Sequence, residues 1–514
     1  MKRAVLDEIS KKVGAFSAGT EGNYSHSLAG TLPCSDMAGK VSPAIAAIVS
    51  HFLQRDGWET KVHNALFLET CRKPRDSRDE ELQFMKDALA AWTKRILRSI
   101  NAMCTELSLP LARKRSSQQA VLYAAKWDTL GTECGSLKPG LKPVYSPKDF
   151  YDVITNIKNP NLCVDRGTSA YWGMIPVEVD VKAINELQQM FKELDPSRYQ
   201  HLGIDDYVMS EFENEHQALG QRVLRSGSVA AARQYVKFGC PMGLRGKLWS
   251  MALGVVFDDF QLSYFDQLRS SVIEYDLLMD CIMMQDIRMT SANDEHFFVF
   301  EDVLHQVVLA LLRDVHLTDC KQQTTRLKSY IRGHLGSTDF MVTYPPSGVV
   351  PFYGFSLYVT PFCYLFKSSP EIYLCFSAFY QNHLHRLHNI SSHCESIVSL
   401  SRQFEDLLQS ENWPLFQHLV SVGVQPLKLV FNWLMQAFAG LLDSFQTFLL
   451  WDRIIGFDSL LLLPLLAVGI LSFRKESLMQ VTSVAQAEAV LSDIGFVQVI
   501  PLIQLALFGR VSDG

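Results

Sequence analysis

The sequence predicts an all-α protein, on three observations. Apolar residues recur at intervals of three and four over long runs, strand-like alternation is sparse, and an almost uniformly apolar stretch of helical length, Ser459–Phe473, lies in the second half. The first helix begins near Ser77-Arg78-Asp79-Glu80, which has the spacing of a capping box. Leu82, Met85, Leu89, Trp92, Ile96, Ile100, Met103 and Leu107 then form one stripe that Pro110 stops. Such a stripe is core or partner surface, with packing against the main domain the expectation. GSLKPGLKPVYSPK, Gly135–Lys148, carries three prolines that disfavour helix at each preceding residue and imply an extended, Pro-rich connection near 135–148. LDPSRYQHLGIDD, Leu194–Asp206, is a second break before the helical run FENEHQALGQRVL. An N-terminal helical region is therefore expected over 1–205, with the boundary near 205–230. Farther on, Leu427, Val430, Phe431, Leu434, Phe438 and Leu441 repeat the helical spacing. Met341–Phe366, interrupted by prolines at 345, 346, 351 and 361, reads as a structured loop entering a buried helix.

A chain of 514 residues, 48% hydrophobic and 20% charged, has material for two or three domains with buried cores. Its net charge of −6 disfavours a general nucleic-acid binder, which needs a basic face. Two short basic runs remain, RKPR at Arg72–Arg75 and RKRSS at Arg113–Ser117; the second reads as a solvated loop after a helix, or as a localisation or phosphorylation signal. Eleven scattered cysteines without a C-x-x-C pair indicate neither a disulfide framework nor a zinc ribbon, and the N-terminus lacks the pattern of a secretory signal, so a cytoplasmic location is expected. The apolar run at 459–473 is shorter than the roughly 18 residues that span a bilayer and is bounded by Asp458 and Arg474, so it reads as a buried core helix rather than a transmembrane segment.

GCPMGLRGKLW, Gly239–Trp249, superficially looks like a phosphate cradle. Gly246-Lys247 is followed by Leu248 instead of Ser or Thr, and the position of the leading glycine holds Pro241, which lacks an N–H, so the chain has no nucleotide pocket of this type. Arg245 and Trp249 are four residues apart and share a helical face, with Pro241 suited to the preceding turn. No G-x-S-x-G elbow supports a serine hydrolase. In HLHRLHNISSHC, His383, His385, His388 and His393 lack metal-ligand spacing, so no metal is assigned and surface or partner-facing histidines are expected.

Gly239, Pro241, Arg245 and Trp249 together resemble the entrance of the TBC domain, the all-helical module of Rab GTPase-activating proteins. HLVSVGVQPLKLVFNW, His418–Trp433, is similar to the family's proline turn and tryptophan-bearing helix, and Leu450-Trp451-Asp452 to its Leu-Trp-Asp. Trp433, Trp451 and Asp452 thus join the architectural set. The resemblance spans roughly 222–480 and implies an all-helical TBC domain there, followed by a helical extension at 481–514 packed on it. It further implies a Rab GTPase as partner, with GTP and Mg²⁺ carried by that Rab and no cofactor of the chain's own, action in vesicle trafficking, and peripheral recruitment to endomembranes.

TBC activators complete the Rab active site with an arginine finger in Ile-x-x-Asp-x-x-Arg and a glutamine finger in Tyr-x-Gln. When Asp286 is aligned on the first motif and Thr290 on the threonine that follows, Met289 occupies the finger position and Arg288 lies one residue early. A long arginine on a loop could compensate; otherwise it meets solvent or a carboxylate such as Asp286 or Glu295. In Tyr344-Pro345-Pro346, Pro346 occupies the glutamine position and cannot orient a water. Arg288 is the candidate displaced finger, with Asp286, Met289, Tyr344 and Pro346 as candidate Rab contacts. The expected function is GTPase activation on a Rab; the alternative is a TBC protein that binds or scaffolds a Rab without catalysis.

Overall fold

The computed structural model describes residue 64 and residues 83–131, 140–158, 173–177, 179–204, 210–293, 298–317, 328–331 and 340–509. The expected cap at 77–80 and the basic run at 72–75 lie outside these residues. The expected all-α class is observed: among the described residues the only sheets are two short two-stranded ladders.

The stripe read from the sequence folds as α1, Gln83–Leu107, which buries Met85, Ala88, Trp92, Ile96, Ile100 and Met103 and ends as Ser108 turns to φ 53°. β1, Ala112–Lys114, follows, and then α2, Ser117–Ala125, where Ser116 and Gln119 form a reciprocal capping box. The RKRSS run is therefore a strand and a helix start instead of a loop, with Arg115 turned inward and its other residues exposed. α3, Pro147–Thr155, starts on a Ser146 cap with proline at its first position, where a missing N–H costs nothing. α4, Ile184–Met190, precedes the second break.

Helices α5, Ser210–Ser226, α6, Val229–Val236, α7, Met242–Leu253, and α8, Asp259–Glu274, lead into β2, Tyr275–Leu277, which pairs antiparallel with β1 in the register Arg113↔Asp276. Arg115 locks this joint. Its guanidinium donates to the carbonyls of Val272, Ile273 and Tyr275 at 2.6–3.2 Å, satisfying acceptors that the end of α8 leaves open. Next come α9, Leu278–Asn293, α10, Glu301–Arg313, and the hairpin of β3, Lys328–Ile331, with β4, Phe340–Thr343.

The second half stacks α11, Thr360–Leu365, α12, Ser369–Asn382, α13, Ile397–Glu411, α14, Trp413–Ser421, α15, Pro426–Met435, and α16, Ser444–Phe457. α17, Leu462–Phe473, is buried along Leu462–Leu471, as an all-round apolar helix must be. Short helices α18, Lys475–Leu478, and α19, Val484–Val490, lead to α20, Val499–Phe508, whose backbone approaches α17 so closely that a Cβ on Gly469 would overlap the Leu502 carbonyl.

The described residues from 83 to 204 share this core. Trp92 meets Tyr145 edge-on with ring centroids 5.0 Å apart, Tyr145 reaches Phe352 at 6.3 Å, and Tyr151 meets Phe431 of α15 at 5.3 Å. Glu405 of α13 accepts the N–H groups of Met174 at 2.6 Å and Ile175 at 3.2 Å. The histidines expected at the surface are instead drawn inward. His383 is 1% exposed and lies 3.5 Å from Asp458, while His388 hydrogen-bonds to Tyr380 at 2.8 Å, and burial holds its pKa down to about 4. The ring of His388 fills the aromatic layer around Phe352 and Phe355 and that of His383 packs on Phe379, which is why polarity alone misplaces them.

Candidate functional site

The glycine-rich segment Gly239–Trp249 builds a buried node. Gly239 turns the chain at φ 99°, a conformation that favours glycine, and Pro241 caps α7. Asp452, on α16 and fully buried, accepts the Cys240 N–H at 2.9 Å, Arg245 Nε and Nη2 at 3.2 Å each, and Trp249 Nε1 at 2.6 Å. One carboxylate thereby fastens the start of α7 to α16. The next residue, Arg453, also fully buried, donates to the carbonyls of Leu202 at 2.8 Å and Phe238 at 3.1 Å. Trp451 donates to the Ala437 carbonyl at 3.0 Å and lies with Trp249 around Phe362, while Trp433 packs on Phe438. None of these groups is presented to a nucleotide.

α9 carries the first finger segment, as a helix rather than a loop. Three contacts fix its inner face. Asp280 accepts both terminal nitrogens of the buried Arg313 at 2.6 Å; Asp286 accepts the N–H groups of Gly354 at 2.6 Å and Ser356 at 3.0 Å and the Ser356 hydroxyl at 2.7 Å; Thr290 shares a 2.7 Å hydrogen bond with the same hydroxyl. Asp286 and Thr290, four residues apart, thus face one loop, and burial raises the Asp286 pKa against the lowering by these donors. Since each helical residue advances by about 100°, Arg288 stands roughly 160° round the helix from Asp286, and Met289 roughly 60°. Met289 is 41% exposed. The Arg288 side chain is 24% exposed, and its Nε lies 3.9 Å from Glu301 Oε1 at the start of α10.

Tyr344 is turned inward. It is 1% exposed, donates to the Leu111 carbonyl at 2.8 Å and accepts the Met279 N–H at 3.2 Å, so it ties the strand preceding the loop to the start of α9. Met279 lies nine positions before Arg288, about 13 Å along a helix axis. The Tyr344-Pro345 peptide is cis, Gly348 donates back to the Pro345 carbonyl at 2.8 Å, and Pro346 is half-buried. The structure therefore does not bring the Tyr344 hydroxyl and Arg288 together. Asp286 and Tyr344, both expected at a partner contact, are engaged inside the protein, whereas Arg288 and Met289 reach its surface.

Sequence reasoning missed the groups that hold this arrangement. Glu301 was passed over for Asp286 and Glu295 as the carboxylate near Arg288, and the Asp280–Arg313 pair had no local signal, since its members are 33 residues apart. The glycine of PFYGFS was the available clue to the Asp286 loop: Gly354 has φ 94°, and a Cβ there would press on Gln436 at 2.8 Å.

Among the described residues, no helix is long and apolar enough to cross a membrane. The sequence profile of the Rab-GTPase-TBC domain matches residues 352–479, which contain α11 to α18 and the Asp452 carboxylate and begin after both finger segments. The human protein "TBC1 domain family member 19" is 43% identical to this chain over 481 residues, covering 90% of the chain and 91% of that protein. With a relative of that identity along nearly its whole length, and with the entrance helix and Leu-Trp-Asp segment joined in one buried node, the chain belongs to the TBC domain family of Rab GTPase-activating proteins.

Proposed function

We propose that the chain accelerates GTP hydrolysis on a Rab GTPase, with Arg288 as its arginine finger. The observation that carries this reading is the position of Arg288: α9 is fastened on its inner face by Asp280, Asp286 and Thr290, while Arg288, partly exposed, lies on another face beside Glu301 at 3.9 Å. The pair is long, and its two side chains are 24% and 26% exposed. Exchanging Glu301 for the phosphates of a bound nucleotide places a cation where charge develops in phosphoryl transfer, an effect worth about 10³ to 10⁵ in rate. Met289, exposed beside Arg288 on α9, would flank the contact. GTP and Mg²⁺ belong to the Rab, and the role of the chain in vesicle trafficking at endomembranes follows from that partner.

A second reading, Rab binding without acceleration, is favoured by one observation. Pro346 offers no side-chain group to a water, and Tyr344 is committed to Leu111 and Met279. Under the first reading, the attacking water is oriented by the glutamine of the Rab itself. Single-turnover hydrolysis across purified Rabs, with wild type and Arg288→Ala, distinguishes the two. Acceleration lost in the variant supports the finger; binding of a GTP-loaded Rab without acceleration by the wild type refutes it.

A further inference from the structure

We propose that Ser116 is a phosphorylation site for an arginine-directed serine kinase. The segment Arg113-Lys114-Arg115-Ser116 places arginine three residues and lysine two residues before the hydroxyl. This is a charge pattern read by kinases with an acidic substrate groove.

The fold presents the motif in usable form. Arg113 and Lys114 lie on β1, in the extended backbone that such a groove accepts, with side chains 49% and 56% exposed. Among the described residues β1 pairs with β2 alone, so its other edge carries no strand. The pairs from Arg113 to Asp276 at 3.0 Å and from Lys114 to Glu274 at 2.7 Å are open to water, and such pairs exchange readily for the acids of a kinase. Arg115 is different: its side chain is 8% exposed and anchors the strand to the end of α8, so the segment stays docked while Ser116 remains at the surface. Ser117 is the poorer acceptor, because it is already inside the first turn of α2 and has lysine, not arginine, three residues before it.

In the transfer, Ser116 Oγ bonds to the γ-phosphorus of ATP as the bond to the β–γ bridging oxygen breaks. ADP leaves with that electron pair, and the hydroxyl proton passes to the base of the kinase. The product suits its place. Ser116 is the N-cap of the nine-residue α2, its Oγ accepts the Gln119 N–H at a long 3.3 Å, and the first turn holds no acidic residue to repel a phosphate. The dianion and its acceptor oxygens meet first-turn N–H groups and the positive end of the helix, with Arg113 and Lys114 adjacent in sequence. The inference is independent of whether the chain accelerates GTP hydrolysis.

The test incubates the full folded chain with Mg²⁺–ATP and a small set of arginine-directed serine kinases, and maps phosphate by fragmentation mass spectrometry. Phosphate is expected on Ser116, retained in Ser117→Ala, with kcat/KM about tenfold or more lower for Arg113→Gln. Circular dichroism of each variant establishes that the folded chain was the substrate. No incorporation into the native chain, phosphate on Ser117 in place of Ser116, or an Arg113→Gln rate within about twofold of wild type overturns the proposal.

Discussion

Replacing Asp452 with asparagine tests the node that joins the two ends of the domain. The side chain keeps its shape but loses its charge and one of its two acceptor oxygens. Four donor groups converge on the native carboxylate: Cys240 N, Arg245 Nε, Arg245 Nη2 and Trp249 Nε1. At least two of them lose an acceptor, at about 1–3 kcal/mol each for a buried group. Arg245, 1% exposed, is left a buried cation without its counter-ion, a change that typically costs about 3–5 kcal/mol. The two counts describe the same loss and agree on roughly 3–5 kcal/mol, a third or more of the stability of an ordinary domain. Denaturant unfolding followed by tryptophan fluorescence measures it, since Trp249 and Trp451 both lie in the node. Arg245→Met with Asp452→Leu closes a double-mutant cycle, in which the apolar pair is expected to cost less than the two single changes together, by about 1–3 kcal/mol. A loss below about 1 kcal/mol in Asp452→Asn, or additive single changes, would refute the view that this carboxylate fastens α7 to α16.

Three further outcomes follow from the same geometry. Tyr344→Phe removes a donor to Leu111 and an acceptor for Met279, so it should cost about 1–3 kcal/mol in unfolding experiments; an unchanged stability would show that the hydroxyl is not a structural tie. Glu301→Gln should raise single-turnover Rab hydrolysis by up to about fivefold, because the opposing charge beside Arg288 is worth at most about 1 kcal/mol; a slower variant would mean that Glu301 positions the arginine instead of restraining it. Burial, opposed by the Met174 and Ile175 N–H groups, raises the Glu405 pKa to about 7 from an ordinary value near 4.5. The folded protein thus holds this proton more tightly than the unfolded chain, so stability from this group is present below about pH 4.5 and is lost as pH rises toward 7. Thermal melts across that interval should fall more steeply for wild type than for Glu405→Gln, and parallel curves would remove Glu405 as the cause.

The parts of this structure legible in the sequence are those governed by local periodicity. The stripe from Met85 to Met103 and the apolar run near Leu462–Leu471 reveal themselves by spacing alone, because a helix face repeats every three to four residues. Arg245 and Trp249 could be placed on one face, and Asp452 stood out through its Leu-Trp-Asp motif, but nothing local pairs them across more than 200 residues. The finger segment was harder still. Whether a one-residue shift of Arg288 matters depends on whether its backbone is loop or helix, and in a helix that shift turns the side chain by about 100°. In the RKRSS run polarity places Arg113, Lys114 and both serines at the surface, where they are, but misses Arg115, which found carbonyls at the end of another helix. Long-range acceptors of this kind decide burial without leaving any periodic trace.

The packing of Tyr151 and Phe150 on Phe431 also sets a timetable for synthesis. The first two aromatics leave the ribosome 280 or so residues before the third, which at about 5–20 residues per second is an interval of roughly 15–60 s. Throughout it, α3 has its cap and its turn but lacks the helix that buries its inner face, and β1 waits in the same way for β2. Early segments of this chain therefore remain adhesive while later ones are made, and chaperones that shield nascent apolar surface should bind between these two moments.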